Sequence, residues 1–543
     1  MTKTYIKRLT AGLLAIAVAQ VTYAVTSPVP PTTNIQDAVD AASDGDVLIL
    51  MEGVFNENVV VQGKNVRLVR EKGKSVEISG SLTYKDVNGT VVLRDLKIGR
   101  YATNHLTLEN CEKVGIEDLD LSAGGGLVVT NSKVVARSSQ FAVGLTITAS
   151  DSNKTVEVID CTFGGNLQVS DVKLTAVNCT FDGNLTSSSV DLKLINDTFA
   201  SSVDSSITGG SALLYNTRFE HASASLTIDG ANWAMHECFV GEDVKVSNAH
   251  TKLIRSQVNR NLYHYHAMLP DGNASECTVY QSTVDDYLES NASRSWIGYN
   301  TIKYMKIHGD ATEAEIVGND IDKRSGGGHI IYIDAPGLVA DVRNNLIRKS
   351  TTNNVDGVNV GRGSEIRIHN NIFHYILGDA IEVHADANQT EIIGNVFAMI
   401  GHYAVRAPME GVTCRQNWVY DRTYIDDPYY SGGVIFAENQ ENKSGNPLFV
   451  AYNNNALSAN NDYRLQANSP LKDAGPPEAH FNDHNDTRND IGMYGGHAYD
   501  PEGTTSVKPV VISGSHSPKK IYIGFDDPTV RIKARGAVSS PKQ

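Results

Sequence analysis

Residues 158–199 read VIDCTFGGNLQVSDVKLTAVNCTFDGNLTSSSVDLKLINDTF, and one six-residue pattern occurs in them three times: VIDCTF (158–163), AVNCTF (176–181) and LINDTF (194–199). The pattern is an apolar residue, any residue, Asn or Asp, a small residue, any residue, then Phe, Ile or Val. It returns as IVGNDI (316–321), VRNNLI (342–347), IHNNIF (368–373) and IIGNVF (392–397). With weaker copies between, the closing apolar positions are Phe163, Phe181, Phe199, Phe219, Phe239, Val258, Val284, Ile302, Ile321, Ile347, Phe373, Phe397 and Val419, spaced 18 to 26 residues apart. A period in that range marks a solenoid.

The segments between these anchors are short alternating runs such as Leu145–Ile147, Leu167–Val169 and Ile381–Val383. Alternation means strands with one face buried. Helical stretches and the leucine-rich pattern are both absent, which leaves a coil of parallel strands: a single-stranded right-handed parallel β-helix, all-β. Each coil then sits ~4.8 Å above the last, and like residues stack. The closing residues predict an internal Phe/Ile ladder. Asn300, Asn319, Asn345, Asn371, Asn395 and Asn417 predict a ladder of amides bonded along the axis. Cys111, Cys161 and Cys179 fall at equivalent positions. Six cysteines in 543 residues are too few for a disulfide framework, and these three read as stacked, buried thiols.

A solenoid needs capped ends. Ile35, Ala38, Val39 and Ala42 have helical spacing, with Asn34 in the N-cap position, so a short helix is expected over the first coil. The segment NIQDAVDAASDGDVLILMEGVFNENVVV (34–61) resembles the opening of many secreted β-helix proteins, including pectate-lyase-like and chondroitinase-B-like polysaccharide lyases. NPLFV (446–450), DYRLQANSPLKDAG (462–475) and DIGMYGG (490–496) are similar to the closing segment of bacterial β-helix repeat proteins. The resemblance spans roughly residues 34–496 and implies the fold and an extracellular polysaccharide partner. The paired-Asp motifs of polygalacturonases and the Arg-centred signature of pectate lyases are missing. NVGRGSEI (359–366) and EVHADAN (382–388) occupy coils comparable to those of chondroitinase-B-like lyases without their key residues.

The expected division is a signal peptide (1–24), a linker (25–33), the β-helix (34–450), a closing segment or C-terminal cap (451–500) and a small β appendage (501–543). Lys3, Lys7 and Arg8 precede the short apolar run Ala11–Ala19, and small residues Thr22 and Ala24 flank Tyr23. That is the layout of a secretory signal. Its apolar run is too short to span a bilayer, and no later segment is long and apolar enough. Loss of the signal removes three of the 47 cations and none of the 62 acids, moving the formal net charge from −15 to −18. So acidic a chain argues against nucleic acid. A monomer, secreted, periplasmic or at the cell surface, is expected. In the appendage, Val507–Ile512, Ile521–Phe525 and Val530–Ala534 alternate as three strands.

The anchors also set which residues face outward. One outward column reads Lys306, Tyr332, Asn359, Glu382, Arg406, and its neighbour reads His308, Asp334, Gly361, His384, Pro408. His264 and His266 are expected on the same surface. Earlier in the array the equivalent residues are Thr146, Thr148, Gln168, Ser170, Thr186 and Thr227, small and neutral. The reactive stretch coincides with coils lengthened to 26 residues, whose extra chain builds loops beside the sheet. Cleavage of a uronate polymer needs a cation for the carboxylate and a base for the C5 proton. Lys306 or Arg406 is a candidate for the cation. His308, His384 or Tyr332 is a candidate for base or acid, with Glu382 or Asp334 tuning it. Hydrolysis would instead pair Glu382 with Asp334, Asp356 or Asp379, although Asp356 and Asp379 also fit turn roles. Substrate-binding candidates are His264, His266, Asp334, Asn359 and Arg362. No cofactor is expected, with Ca²⁺ open at the oxygen-rich FNDHNDTRND (481–490), where a hydrogen-bonded cap is the competing account. The reading is a lyase on an acidic polysaccharide; the alternative is a carbohydrate-binding or adhesin-like surface protein without turnover.

Overall fold

The third position of the repeat turns the chain. Asp160, Asn178, Asn196, Asn344 and Asn370 have φ of 53°, 55°, 57°, 57° and 53°, and Gly318 and Gly394, at the same position, have φ of 69°. This left-handed conformation is open to Gly and, at low cost, to Asn and Asp, which explains the composition there. The computed structural model describes residues 28–496, apart from 102, 150–152, 231, 267, 270–271, 324–327, 350–354, 388, 408–409, 422–441, 454–460 and 484, and the backbone of 510–517 and 531–537. The signal segment 1–24 and the run Ile521–Phe525 lie outside the described residues.

The chain divides into two units, residues 1–191 with 195–200, and 192–194 with 201–543. In the first, every turn of chain lays down three short strands, and each pairs in parallel with its counterpart one turn on. Leu106–Glu109 pairs with Leu127–Thr130, Lys113–Glu117 with Val134–Arg137, and Asp120–Leu121 with Gln140–Phe141. The result is a right-handed parallel β-helix. Its outward residues Thr83, Thr107, Val128, Thr146, Gln168 and Thr186 stand in register. The helix Ile35–Ala41 buries Ile35 and Val39. Asn34 occupies its N-cap position, but its side chain makes no cap bond. Glu57 does that work instead, accepting from the Ile35 and Gln36 amides at 2.6 and 3.0 Å, where the helix dipole favours an anion.

Inside this unit Phe141, Phe163, Phe181 and Phe199 stack face to face, with centroids 4.8, 4.9 and 4.8 Å apart. The stack begins at Phe141, one coil before the first closing residue that the sequence pattern marks. All six cysteines are free and buried. Asp197 takes the position held by Cys179 one coil earlier and by Cys161 two coils earlier. It is fully buried and accepts the amides of Cys179 (2.7 Å) and Ile195 (2.9 Å). Burial pushes its carboxyl up to about 7. A carboxyl raised in the folded state favours folding at low pH, and its stabilisation is lost as pH rises from the unfolded value through about 7. Asp197→Asn keeps an acceptor and buries no charge. It should raise stability by about 1–3 kcal/mol above pH 8 and have little effect at pH 3, below the unfolded carboxyl value. Thermal melts at the two pH values check this; an equal shift at both would mean that ionisation of Asp197 is not the cause.

In the second unit the same three-strand turn continues with longer connections. Asn300, Asn319, Asn345, Asn371, Asn395 and Asn417 form the expected amide ladder. Each Nδ2 donates to the next Oδ1 at 2.9–3.1 Å, and the ladder runs one coil further, to Asn442. Each amide also ties its own coil to a backbone carbonyl. Phe373 stacks on Phe397 at 5.2 Å. Phe239 is a correction. It faces outward, with the Arg218 guanidinium 4.6 Å from its centroid, and Val240 is the residue that pairs with Phe219 and is buried.

The closing segment runs along the side of the coils. Phe449, Tyr463, Leu471, Ile491 and Met493 cover an outward apolar stripe of Leu346, Ile372, Val396 and Trp418. Asn344 donates to the carbonyls of Met493 and Gly495 at 3.1 and 2.6 Å, and Asn370 donates to Asn489 and to the Asp490 carbonyl at 3.0 and 2.8 Å. Within it, Phe449–Ala451 and Asp462–Leu465 pair antiparallel. In 481–490, Asp483 accepts the amides of Gly496 and Asp490, which is the hydrogen-bonded arrangement. Further on, Val510–Ser517 and Arg531–Ala537 form a second antiparallel pair. Among the described residues no helix is long and apolar enough to cross a membrane.

Candidate functional site

Parallel register carries one outward column through the second unit. Lys245 pairs with Tyr263, Tyr263 with Glu289, Glu289 with Lys306, Lys306 with Tyr332, Tyr332 with Asn359, Asn359 with Glu382, and Glu382 with Arg406. Successive members are one strand spacing, ~4.8 Å, apart. The flanking residues Met305, Ile307, Ile331, Ile333, Val358, Val360, Ile381 and Val383 are buried. They fix the strands and leave the column facing out.

Two polar clusters sit on this column. In the first, Glu289 Oε1 lies 2.9 Å from His308 Nε2 and 3.6 Å from Lys306 Nζ. Burial and the Lys306 charge lower the His308 pKa, against the opposing pull of Glu289. The imidazole is therefore neutral at pH 7, and a proton on Nε2 facing Glu289 leaves Nδ1 as the acceptor. Asp334 Oδ1 takes the Arg362 guanidinium at 2.5 Å, which lowers its pKa. Burial and Asp334 together raise Tyr332, so the phenol stays protonated. Lys306 Nζ is 6.0 Å from the Tyr332 ring centroid.

The second cluster is acidic. Carboxylate oxygens of Asp356, Asp379 and Glu382 all lie within 4.8 Å of one another. Asn359 donates to Asp356 (3.1 Å) and Glu382 (2.7 Å). Arg406 pairs with Asp379 at 3.3 Å and with Glu382. His329 Nδ1 is 2.9 Å from Asp356 Oδ2, and His384 Nε2 is 3.7 Å from Glu382 Oε1. Burial pushes Asp379 up, helped by the charge of Asp356. Burial acts on Asp356 too, but His329, the Asp379 amide and Asn359 outweigh it and hold its pKa down. Asp356 and Asp379 also fill the expected turn role, accepting the amides of Asp379 and Tyr403 at 2.9 and 3.1 Å.

The donor set fits a hard divalent cation, since all the ligand atoms are oxygens. Asn359 supports the fit. It is 2% exposed, and its Oδ1 finds no hydrogen-bond donor among the described residues. A buried amide oxygen left unpaired costs free energy that a bound cation would offset.

Most of the sequence-predicted residues gather here: Lys306, His308, Tyr332, Asp334 and Arg362 in the first cluster, and Asn359, Glu382, His384 and Arg406 in the second. His264 does not. It is fully buried, with Nδ1 2.9 Å from Thr251 Oγ1 and Nε2 3.0 Å from the His266 carbonyl, and burial lowers its pKa to about 4. It lies two residues after inward-facing Leu262, on the same face of the strand, and that parity was the available signal. His266 is exposed. The second column also needs correction. A bulge between Val360 and Arg362 puts Arg362, and not Gly361, opposite Asp334, and it pairs Arg362 with Asp386, so His384 is not in line with them. Pro408 lies outside the described residues. Sequence reasoning missed Glu289, which a register shift between Val284 and Tyr287 hides. It also missed His329 and the buried Lys323. Lys323 donates to the Gly328 carbonyl at 3.1 Å, stands 4.4 Å from the Tyr304 ring centroid and is lowered by burial to about 8.

No family model matches this sequence, and no curated protein matches it significantly. Among solved structures, the crystal structure of pectate lyase Pel9A is similar at 12% identity, covering 88% of this chain and 97% of that one, with a TM-score of 0.17.

Proposed function

We propose that this chain is a secreted polysaccharide-active β-helix protein that acts as a lyase on an acidic polysaccharide laid along the outward column from Tyr263 to Arg406. The observation that carries the reading is the meeting, on one face of the coils, of the His308 imidazole, the Tyr332 phenol and a buried oxygen cluster. His308 Nδ1 takes the C5 proton, Tyr332 supplies a proton to the departing glycosidic oxygen, and Lys306 stands next to both as a positive charge. Asp356, Asp379, Glu382 and Asn359 would hold a divalent cation, whose chemistry is to bind the uronate carboxylate and stabilise the charge that develops on it. Glu289 and Asp334 hold the acid–base pair in place.

The test is incubation of the full chain with alginate, polygalacturonate and hyaluronan in millimolar Ca²⁺, reading unsaturated product in the ultraviolet. Calcium alone should raise the melting temperature of the parent and leave Asp379→Asn/Glu382→Gln unmoved. Chelation should abolish turnover. Equal melting shifts in both proteins would remove the cation from this cluster.

One observation favours a second reading, a glycan-binding solenoid without turnover. Arg406 already pairs with both Asp379 and Glu382 and so neutralises the cluster from within the chain. Retention of the same polymers with no unsaturated product would select it.

A further inference from the structure

Upstream of the polar clusters the same face becomes aromatic. Tyr263 and Tyr265 lie with centroids 5.5 Å apart and planes 9° from parallel. Tyr287 and Tyr304, on the next two coils, stack at 4.6 Å. Tyr263 meets Tyr287 edge-on, at 6.0 Å and 77°. The four rings thus make two stacked pairs set at a right angle. Tyr263 belongs to the outward column itself, directly opposite Glu289. Tyr287 and Tyr304 precede Glu289 and Lys306 by two residues on the same strands and so share their face.

Three further features suit this patch to a ligand. First, it is open: Tyr265 is 40% exposed, and Met268, in the chain segment just after it, is 56% exposed. Second, none of the four hydroxyls has a hydrogen-bond partner among the described residues, whereas Tyr84 donates to the Val66 carbonyl at 3.0 Å and Tyr463 pairs with His374 at 2.7 Å. Third, the patch is built by lengthened chain. The coil from Val258 to Val284 takes 26 residues, and within it the Leu269 amide donates to the Asn273 carbonyl at 2.8 Å. Apolar rings with unpaired hydroxyls match a pyranose, which has an apolar C–H face and a polar rim.

We propose that Tyr263, Tyr265 and Tyr287, with Tyr304 held between Tyr287 and Lys323 as their support, form a stacking subsite for pyranose rings of the polysaccharide whose charged residues occupy the polar clusters. The inference rests on the functional reading above and adds a direction to it: the polymer lies along the outward column and extends toward the N-terminal side of the second unit. Tyr263 and Tyr265 lie three coils from Tyr332 and five from Glu382, so a long chain reaches them and a short oligosaccharide held at the acidic cluster does not.

The experiment is affinity electrophoresis and titration calorimetry with alginate, polygalacturonate and hyaluronan, each as polymer and as disaccharide. The proteins are the full chain, Tyr263→Ala/Tyr265→Ala, Tyr265→Phe and Asp379→Asn/Glu382→Gln. The double alanine variant should bind polymer about ten-fold more weakly, an effect of the size that aromatic contacts give, with disaccharide binding unchanged. Tyr265→Phe should retain most of the polymer affinity. Should the double variant fold poorly, the exposed Tyr265→Ala alone serves, with a smaller loss in the same direction. Polymer affinity equal to the parent's in a folded alanine variant overturns the subsite. If that equality is accompanied by lost binding in Asp379→Asn/Glu382→Gln, the functional reading survives and only the subsite falls. A parent chain that binds none of the polymers overturns both.

Discussion

Asn371→Ala should destabilise the second unit by about 3–5 kcal/mol, the sum of several buried polar groups left without partners. The Asn371 Oδ1 accepts from the Asn345 amide and side chain at 3.0 and 2.9 Å, and its Nδ2 donates to the Val342 and His369 carbonyls and to Asn395 Oδ1 at 2.8, 3.0 and 3.0 Å. No water reaches this position, because Asn345, Asn371 and Asn395 are fully buried. Alanine removes every one of these bonds and leaves room for no replacement. Asn178 provides the control. It too bonds along the axis, to Asp160 and from Asn196, but at the exposed surface. Its φ is 55°, so Asn178→Gly should cost no more than about 1 kcal/mol. Urea unfolding of the two variants separates them. A loss below 1 kcal/mol in Asn371→Ala would mean that the ladder records the fold without stabilising it.

His308→Ala should lower kcat/KM by about 10²–10³, the ordinary contribution of a positioned general base, with Tyr332→Phe losing a similar factor in kcat. The pH profile is the sharper measurement. A base whose pKa is lowered stays active to more acidic pH, so the acidic limb should fall below the usual imidazole value. Lys306 pushes the imidazole down and Glu289 pushes it up. Lys306→Ala should therefore move that limb to higher pH, and Glu289→Gln should move it to lower pH. Limbs that stay put in both variants would take His308 out of the base role while leaving the polymer-binding reading intact.

The fold was legible because a solenoid writes each constraint many times. In the seven clear copies between Asp160 and Phe397, Asn, Asp or Gly stands at the turning position, a small or polar residue next and an apolar residue two further on, and every copy reinforces the others. The site was legible only where the register was regular. From Lys306 to Arg406 along the first column the two-residue alternation holds, and the outward residues follow from the anchors. Where a bulge adds a residue, the count slips by one. Gly361 was placed for Arg362 in this way, and Glu289 was lost beyond the shift at Val284. His264 shows a different limit. Side-chain chemistry suggested a surface residue, while strand parity placed it inside, where Thr251 supplies a polar partner. Asp356 and Asp379 fit turn roles in the sequence and fill them. The sequence also allowed either to pair with Glu382, and the structure brings both to it, a choice that depends on coils brought together in space and has no signature within a single repeat.

The lateral course of the closing segment bears on the order in which the chain can fold. A coil finds its template in the coil before it, so the solenoid can grow in step with synthesis. The stripe Leu346, Ile372, Val396 and Trp418 cannot be completed that way. Its cover is made last: Asn344 binds the carbonyl of Gly495, 151 residues downstream. Until then a nascent chain carries a bare apolar strip on finished coils, the kind of surface that sticks to itself or recruits a chaperone. A chain stopped before Asn446 would keep that strip permanently. Its failure should therefore show as aggregation of otherwise well-formed coils, with parallel-strand circular dichroism retained in the insoluble fraction.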